Sequence, residues 1–254
     1  MLSIVIACKN SYVTLVNTIN SIESQIQKDF FEVIIIDASS DNKIKNHFLM
    51  IENTKYRYYH FLDMSIYEAW NFGILNSKGD SIFFLNSDDT LYDNKNLFEL
   101  YKVHVQEKND LTYAKILYHT KQGLTKSRGG EVSRFRFVFG MDKTLLTLST
   151  IFKKNIFNTI GYFDTKYLIS SDVDLIYRCL LSSTLKISYY PILLINMYEG
   201  GISSTKRNIG MKEFQDIINR YENIFFIYLF YLNEYIIRNI KKKLLKFRRF
   251  IKLF

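Results

Sequence analysis

The sequence predicts an α/β fold, a mostly parallel sheet flanked by helices. Three observations carry this. Short apolar runs at 2–7, 31–36 and 81–85 have the length and continuity of strands buried on both faces. Segments with helical spacing alternate with these runs, as the crossovers between parallel strands require. Two of the runs lead into acids, at Asp37 and at the pair Asp88–Asp89. In a parallel sheet the carboxyl ends of the strands share one edge, which is where open α/β folds bind ligands.

The elements follow in order. The run at 2–7 is a central strand, and Lys9, Asn10 and Ser11 make the turn after it. Residues 12–25 carry Val13, Leu15, Val16, Ile19 and Ile22 at helical spacing. The second strand, 31–36, reaches Asp37, followed by Ala38, Ser39, Ser40 and Asp41. After a weak helix comes a third strand at 56–61, and Ser65 caps a helix at 66–75. Gly79 and Asp80 turn the chain into the fourth strand, 81–85, and the acidic pair follows. A helix is expected at 94–105, then irregular strands or loops from 111 to 136 around Gly123, Gly129 and Gly130. Phe135, Phe137 and Phe139 alternate with Arg134, Arg136 and Val138, the pattern of a half-buried strand. A strand at 146–152, a short helix at 154–160 ending at Gly161, and a helix at 173–181 complete this part. The last of these has an apolar face of Val173, Ile176, Leu180 and Leu181.

Each acidic spot has two readings on its residues alone. Asp37, Asp88–Asp89 and Asp172 are all suited to capping a following helix. Paired carboxylates also repel, and a divalent cation held through oxygen relieves that repulsion. Capping explains one acid before the helix at 173–181 but not two flanking Val173. The alternative there is a carboxylate that deprotonates a sugar hydroxyl as a bond forms, with a second acid orienting it.

Composition sets the frame. A chain of 254 residues that is 48% hydrophobic can fill one substantial core. One proline and the lack of a Gly/Ser-rich linker argue against a sharp internal boundary. Cys8 and Cys179 each sit in an apolar pattern and read as buried thiols of a reducing compartment. The N-terminus opens on a strand, without the pattern of a signal peptide. Eight of the net +9 charges lie from Arg238 onward with no acid among them, so the body is nearly neutral and the tail strongly cationic.

Taken together, SIVIACKN, EVIIIDASSD, IYEAWNFGI, GDSIFFLNSDD, GYFD and SDVDLIYR, in this order over about 2–198, resemble glycosyltransferase family 2. The resemblance implies the GT-A (Rossmann-like) fold and an inverting enzyme. Such an enzyme uses a nucleotide-sugar donor, with UDP the default, and a Mn²⁺ or Mg²⁺ ion. It implies nucleotide and donor contacts at Ala7, Asn10, Asp37, Asn71, Gly73 and Asp88. It further implies a metal site at Asp89 and Asp88, a catalytic base at Asp172, and support for it from Asp174. Arg128 and Arg207 are further candidates for the diphosphate. The QxxRW element of processive synthases is absent, which suggests addition of a single sugar. The expected acceptor is a lipid-linked oligosaccharide of O-antigen, capsule or lipooligosaccharide synthesis. The competing readings are an inactive scaffold of the same fold and a sugar nucleotidyltransferase, although no Gly-rich phosphate loop follows the first strand.

The expected organisation is a transferase domain at 1–205, with a nucleotide-sugar half at about 1–92 and an acceptor half at about 93–205. A helical, basic segment at 206–254 follows. Residues 224–237 are apolar and aromatic but short for a span of about 20 residues. Beyond them Leu244, Leu245, Phe247, Phe250, Ile251 and Leu253 alternate with the basic residues as in an amphipathic helix. Such a helix suits an anionic membrane surface, at the inner face of the plasma membrane, with a homodimer contact as the alternative. No nucleic-acid reader motif accompanies the charge.

Overall fold

The computed structural model describes residues 1–49, 55–138, 146–201, 206–227 and 229–232. Its first half runs β1 (Leu2–Cys8), α1 (Tyr12–Glu23), β2 (Phe31–Asp37), α2 (Lys43–Leu49), β3 (Tyr56–His60), α3 (Ile66–Asn76) and β4 (Ser81–Phe84). β1 pairs in parallel with both β2 and β4, and β2 with β3, so the order is β3-β2-β1-β4. Residues of β2 and β4 are buried throughout, which is why their sequences are continuous and apolar rather than alternating. α3 begins with a capping box: Ser65 accepts from the Glu68 backbone N–H, and Glu68 accepts from that of Ser65.

The second half adds β5 (Thr90–Leu91), α4 (Asn96–Gln106), β6 (Leu111–His119), β7 (Thr125–Arg128), α5 (Arg134–Val138), a 3₁₀ turn (Thr147–Ser149), β8 (Thr150–Lys153), α6 (Ile156–Ile160), α7 (Ser171–Leu181), β9 (Ile187–Tyr198) and α8 (Arg207–Tyr221). Here the sheet is mixed. β8 runs antiparallel between β4 and β6, β9 runs parallel to β6, and β5 antiparallel to β9. β7 forms a hairpin on β6, turned at Gly123, whose φ of 78° a side chain disfavours.

Several expectations change. The stretch from Leu111 is a nine-residue strand, irregular in that its pairing with β9 shifts register around Lys115. The alternating Phe/Arg segment is helical at Arg134–Val138. There Phe137 stacks on Tyr177 of α7 at 5.5 Å, and Arg134 makes a two-pronged hydrogen bond to Glu222. These long-range partners, not the local alternation, set its conformation. Phe139 lies outside the described residues. The strand expected at 146–152 forms only from Thr150, after the 3₁₀ turn. The helix expected at 173–181 starts at Ser171, and its buried side turns on Leu175, Ile176, Tyr177 and Cys179. Cys8 and Cys179 are buried free thiols.

The C-terminal helix α8 packs on the domain. Tyr167 and Tyr221 donate to Asp216 and Asp174, and Arg220 donates to Asp164. Residues 224–227 and 229–232 are helical as well, with Phe230 buried and Ile224 and Phe225 exposed at 86% and 64%. The basic run from Arg238 lies outside the described residues. Among the described residues no helix is long and apolar enough to cross a membrane.

Candidate active site

The parallel half brings the acids to one edge of the sheet. β2 ends at Asp37, β4 leads into Asp88 and Asp89, and α3 starts just after the carboxyl end of β3. The Tyr67 hydroxyl, in the first turn of α3, lies 3.2 Å from Asp172 Oδ1. Asp172 is thereby held at the same edge from the far half of the chain.

A line of hydrogen bonds joins the loops along this edge. Asp37 Oδ1 accepts from the Ser39 N–H at 2.8 Å, and Ser39 Oγ accepts from the Asn10 N–H at 2.7 Å. Asn10 Oδ1 accepts from the Ser40 N–H, and the Ser11 hydroxyl donates to Ser87 Oγ at 2.9 Å, beside Asp88. Asn10 adopts φ 54°, a left-handed turn that Asn tolerates better than most residues. Asp37 itself is fully buried and its other oxygen accepts from the Tyr58 hydroxyl at 2.7 Å. It therefore organises the Ser39–Ser40 loop from beneath. The groups that face outward are Asn10 and Ser40, which are exposed, and Ala7, which is partly exposed.

The two acids after β4 differ. Asp89 is 1% exposed, and both its oxygens are engaged, with the Tyr198 N–H at 3.1 Å and Asn86 Nδ2 at 3.2 Å. Burial, and then the charge of Asp88, push its carboxyl up to about 7. It pins the end of β9 to the β4 loop. Asp88 is only partly buried, and its carboxylate has no partner among the described residues beyond its own backbone. Burial pushes it up as well. Of the two residues expected at the metal site, Asp89 is thus engaged by neighbours and Asp88 is not. Among the described residues there is no cluster of three or more His, Cys, Asp or Glu. A single open carboxylate still fits a hard divalent ion, which commonly takes one or two carboxylates and completes its shell with substrate phosphates and water.

Asp172 opens α7 with one oxygen near Tyr67 and on the Val173 N–H at 2.9 Å. Beyond these and its own backbone, the carboxylate has no further hydrogen-bond partner among the described residues. Burial pushes its carboxyl up to about 6, against which the hydrogen bonds from Val173 and Tyr67 act. That value suits a proton acceptor working near neutrality. Burial, followed by the Asp172 charge, pushes Tyr67 up, so it stays a donor; its shorter bond, 2.6 Å, goes to the Ile169 carbonyl.

Three expected site residues have structural partners. Asp174 is 1% exposed and pairs with Arg178 at 2.9 Å, while Tyr221 donates to its other oxygen. Arg178 also donates to the Ile160 and Tyr162 carbonyls. Asp174 thus braces α7 against α6 and α8 and turns away from Asp172, because residues two apart on a helix do not face each other. Asn71 brackets the peptide of Phe163, donating to its carbonyl and accepting from its N–H, each at 2.9 Å. Gly73 is buried where α3 crosses β1; an added Cβ would sit 2.3 Å from Val5 Cγ1. Its role is close packing. Arg128 lies over the Tyr118 ring at 4.0 Å, and Arg207 opens α8, exposed.

Sequence reasoning missed Tyr67, although it lies within IYEAWNFGI, and it missed the Ser11–Ser87 and Ser39–Asn10 links. The only local sign was the density of serines after each strand.

The chain is similar to known glycosyltransferases. A model of glycosyl transferase family 2 matches residues 3–175. A "PGL/p-HBAD biosynthesis glycosyltransferase" of Mycobacterium bovis is 26% identical over 211 residues, covering 81% of this chain and 80% of its own. An uncharacterized glycosyltransferase of Rickettsia conorii is 29% identical over 118 residues, covering 46% of this chain and 19% of its own. S. aureus TarS 1–349 in complex with UDP-GlcNAc superposes with a TM-score of 0.70 at 16% identity, over 85% of this chain and 64% of that one. The chain thus spans less than two thirds of TarS 1–349, and the likeness is one of fold. The matched region holds five of the six motifs and the first part of SDVDLIYR, and on that ground the chain belongs to glycosyltransferase family 2 and is a glycosyltransferase.

Proposed function

We propose that the enzyme moves one sugar, with inversion, from a nucleotide-sugar to a lipid-linked glycan acceptor, using Mg²⁺ or Mn²⁺. The observation that carries this is the Asp172 carboxylate, held by Tyr67 at the sheet edge to which β4 also brings Asp88. Asp172 takes the proton of the acceptor hydroxyl as that oxygen bonds to the anomeric carbon and the bond to the diphosphate breaks. A single displacement needs one carboxylate as base, unlike glycoside hydrolysis with its two. Asp88 would hold the divalent ion, which when bound neutralises charge on the departing diphosphate. Asn10, Ser40 and Ala7 form the rim suited to the nucleoside, with Asp37 setting their loop. The UDP-GlcNAc complex of TarS supports UDP as the nucleotide. The name of the mycobacterial relatives supports a biosynthetic role, and we place this enzyme in surface-glycan assembly of the O-antigen, capsule or lipooligosaccharide kind.

Exposed Ile224 and Phe225, ahead of the cationic tail, support docking on an anionic membrane at the cytoplasmic face. Sedimentation with anionic vesicles tests this: Phe225→Asp should weaken binding, and equal binding to neutral vesicles would count against it. For the transfer itself, thermal shift with a panel of nucleotide-sugars and Mn²⁺ is the direct test. A UDP-sugar should raise the melting temperature only with metal, and Asp88→Asn should abolish the rise. No response to any nucleotide-sugar would remove the proposal.

A further inference from the structure

We infer that Glu213 of α8 is a positioning residue for Asp172, so that α8, outside the matched family region, is part of the catalytic apparatus. This rests on Asp172 being the base. The Glu213 carboxylate accepts from three consecutive backbone N–H groups in the loop that leads into α7. These are Leu168 at 2.7 Å, Ile169 at 2.9 Å and Ser170 at 2.8 Å. A carboxylate satisfying several backbone donors makes strong, charge-assisted hydrogen bonds. Gly210, one turn earlier on α8, lets the helix approach: an added Cβ would lie 3.2 Å from Ile169 Cγ2. Its carbonyl also accepts from the Ser170 hydroxyl.

The Ile169 peptide is therefore gripped from both sides. Glu213 holds its N–H, and Tyr67 of α3 donates to its carbonyl at 2.6 Å while touching Asp172. Two helices that meet nowhere in sequence fix the residue three positions before the base. Glu213 also acts through charge. The groups facing Asp172 are Tyr67 from α3, which stabilises the carboxylate, and Glu213 from α8, whose negative charge raises it. Asp174 on its own helix is committed to Arg178.

The test uses the full chain, and its two main readouts need no substrate. Amide hydrogen exchange at Leu168, Ile169 and Ser170, and ¹³C titration of the Asp172 carboxyl, are measured in wild type, Glu213→Gln and Asp216→Asn. Glu213→Gln keeps the side chain's size and should fold. Expected in that variant are exchange at the three amides faster by about tenfold or more and an Asp172 titration moved to lower pH. Asp216→Asn removes another α8 acid, one that binds Tyr167, and should leave the Asp172 titration in place. An unmoved Asp172 titration and unchanged exchange in Glu213→Gln would overturn the inference. Equal movement in Asp216→Asn would also overturn it, since general loosening of α8 would then be the cause. Asp172→Asn with full turnover would remove the base assignment on its own and leave the titration result standing.

Discussion

Replacing Asp174 by Asn separates the two acids that open α7. Asp174 is 1% exposed and Arg178 16% exposed, with Nε and Nη2 each bonded or paired to the Asp174 carboxylate at 2.9 Å. Asn keeps the acceptor for the Tyr221 hydroxyl but leaves the guanidinium without its counter-charge. Arg178 retains only the carbonyls of Ile160 and Tyr162, which are neutral partners. Breaking a buried pair on one side costs about 3–5 kcal/mol. The retained hydrogen bonds place this case at the lower end, about 3 kcal/mol, a large share of the roughly 5–15 kcal/mol that holds a domain together. With a urea m-value of about 3 kcal/mol/M for a chain of this size, the midpoint should fall by about 1 M. Turnover per folded molecule, measured well below the transition, should stay within about threefold of wild type. An unchanged midpoint with turnover lost would refute this reasoning and return Asp174 to the reacting centre.

Other consequences follow from the same geometry. Gly73→Ala drives a methyl to 2.3 Å from Val5 and should cost about 1–3 kcal/mol, read as a lower melting temperature with donor affinity unchanged in the folded fraction. Tyr67→Phe removes the hydrogen bond to Ile169 and the contact to Asp172, and should lower kcat about tenfold while costing roughly 1–2 kcal/mol of stability. A base must be deprotonated, so turnover should fall as pH drops through about 6, where Asp172 gains its proton. For folding, the raised Asp172 value favours the native state below the unfolded carboxylate range. That contribution is lost as pH rises through about 6. Asp172→Asn should therefore be no less stable than wild type at pH 8, as urea titration at two pH values can show.

Much of this architecture was legible because it is written in local pattern. β1, β2 and β4 are buried on both faces and so are continuous apolar runs, and Ser65 with Glu68 announces the start of α3. The acids that end or follow β2 and β4 lie at one edge of the sheet because those strands run parallel. What was hidden depends on partners distant in the chain. Which acid of the Asp88–Asp89 pair is open is decided by the Tyr198 N–H, 109 residues away. Asn71 sits in a motif, yet its partner Phe163 lies 92 residues on and converts it to a brace. Arg134–Val138 alternates like a strand, but Glu222 and Tyr177 hold it as a helix. Asp174 looks like a helper to Asp172 in one dimension, and helical geometry sends it to Arg178.

The most direct measurement is nucleotide release from a matched nucleotide-sugar, with Mn²⁺ and a lipid extract of the native membranes as acceptor, for wild type and Asp172→Asn side by side. Expected is a loss of about 10²–10⁴ in kcat, the range for a positioned general base, with donor KM within a fewfold and the fold intact. Wild-type kcat in Asp172→Asn would contradict the central claim that this carboxylate, at the edge shared with Asp88, takes the proton of the acceptor.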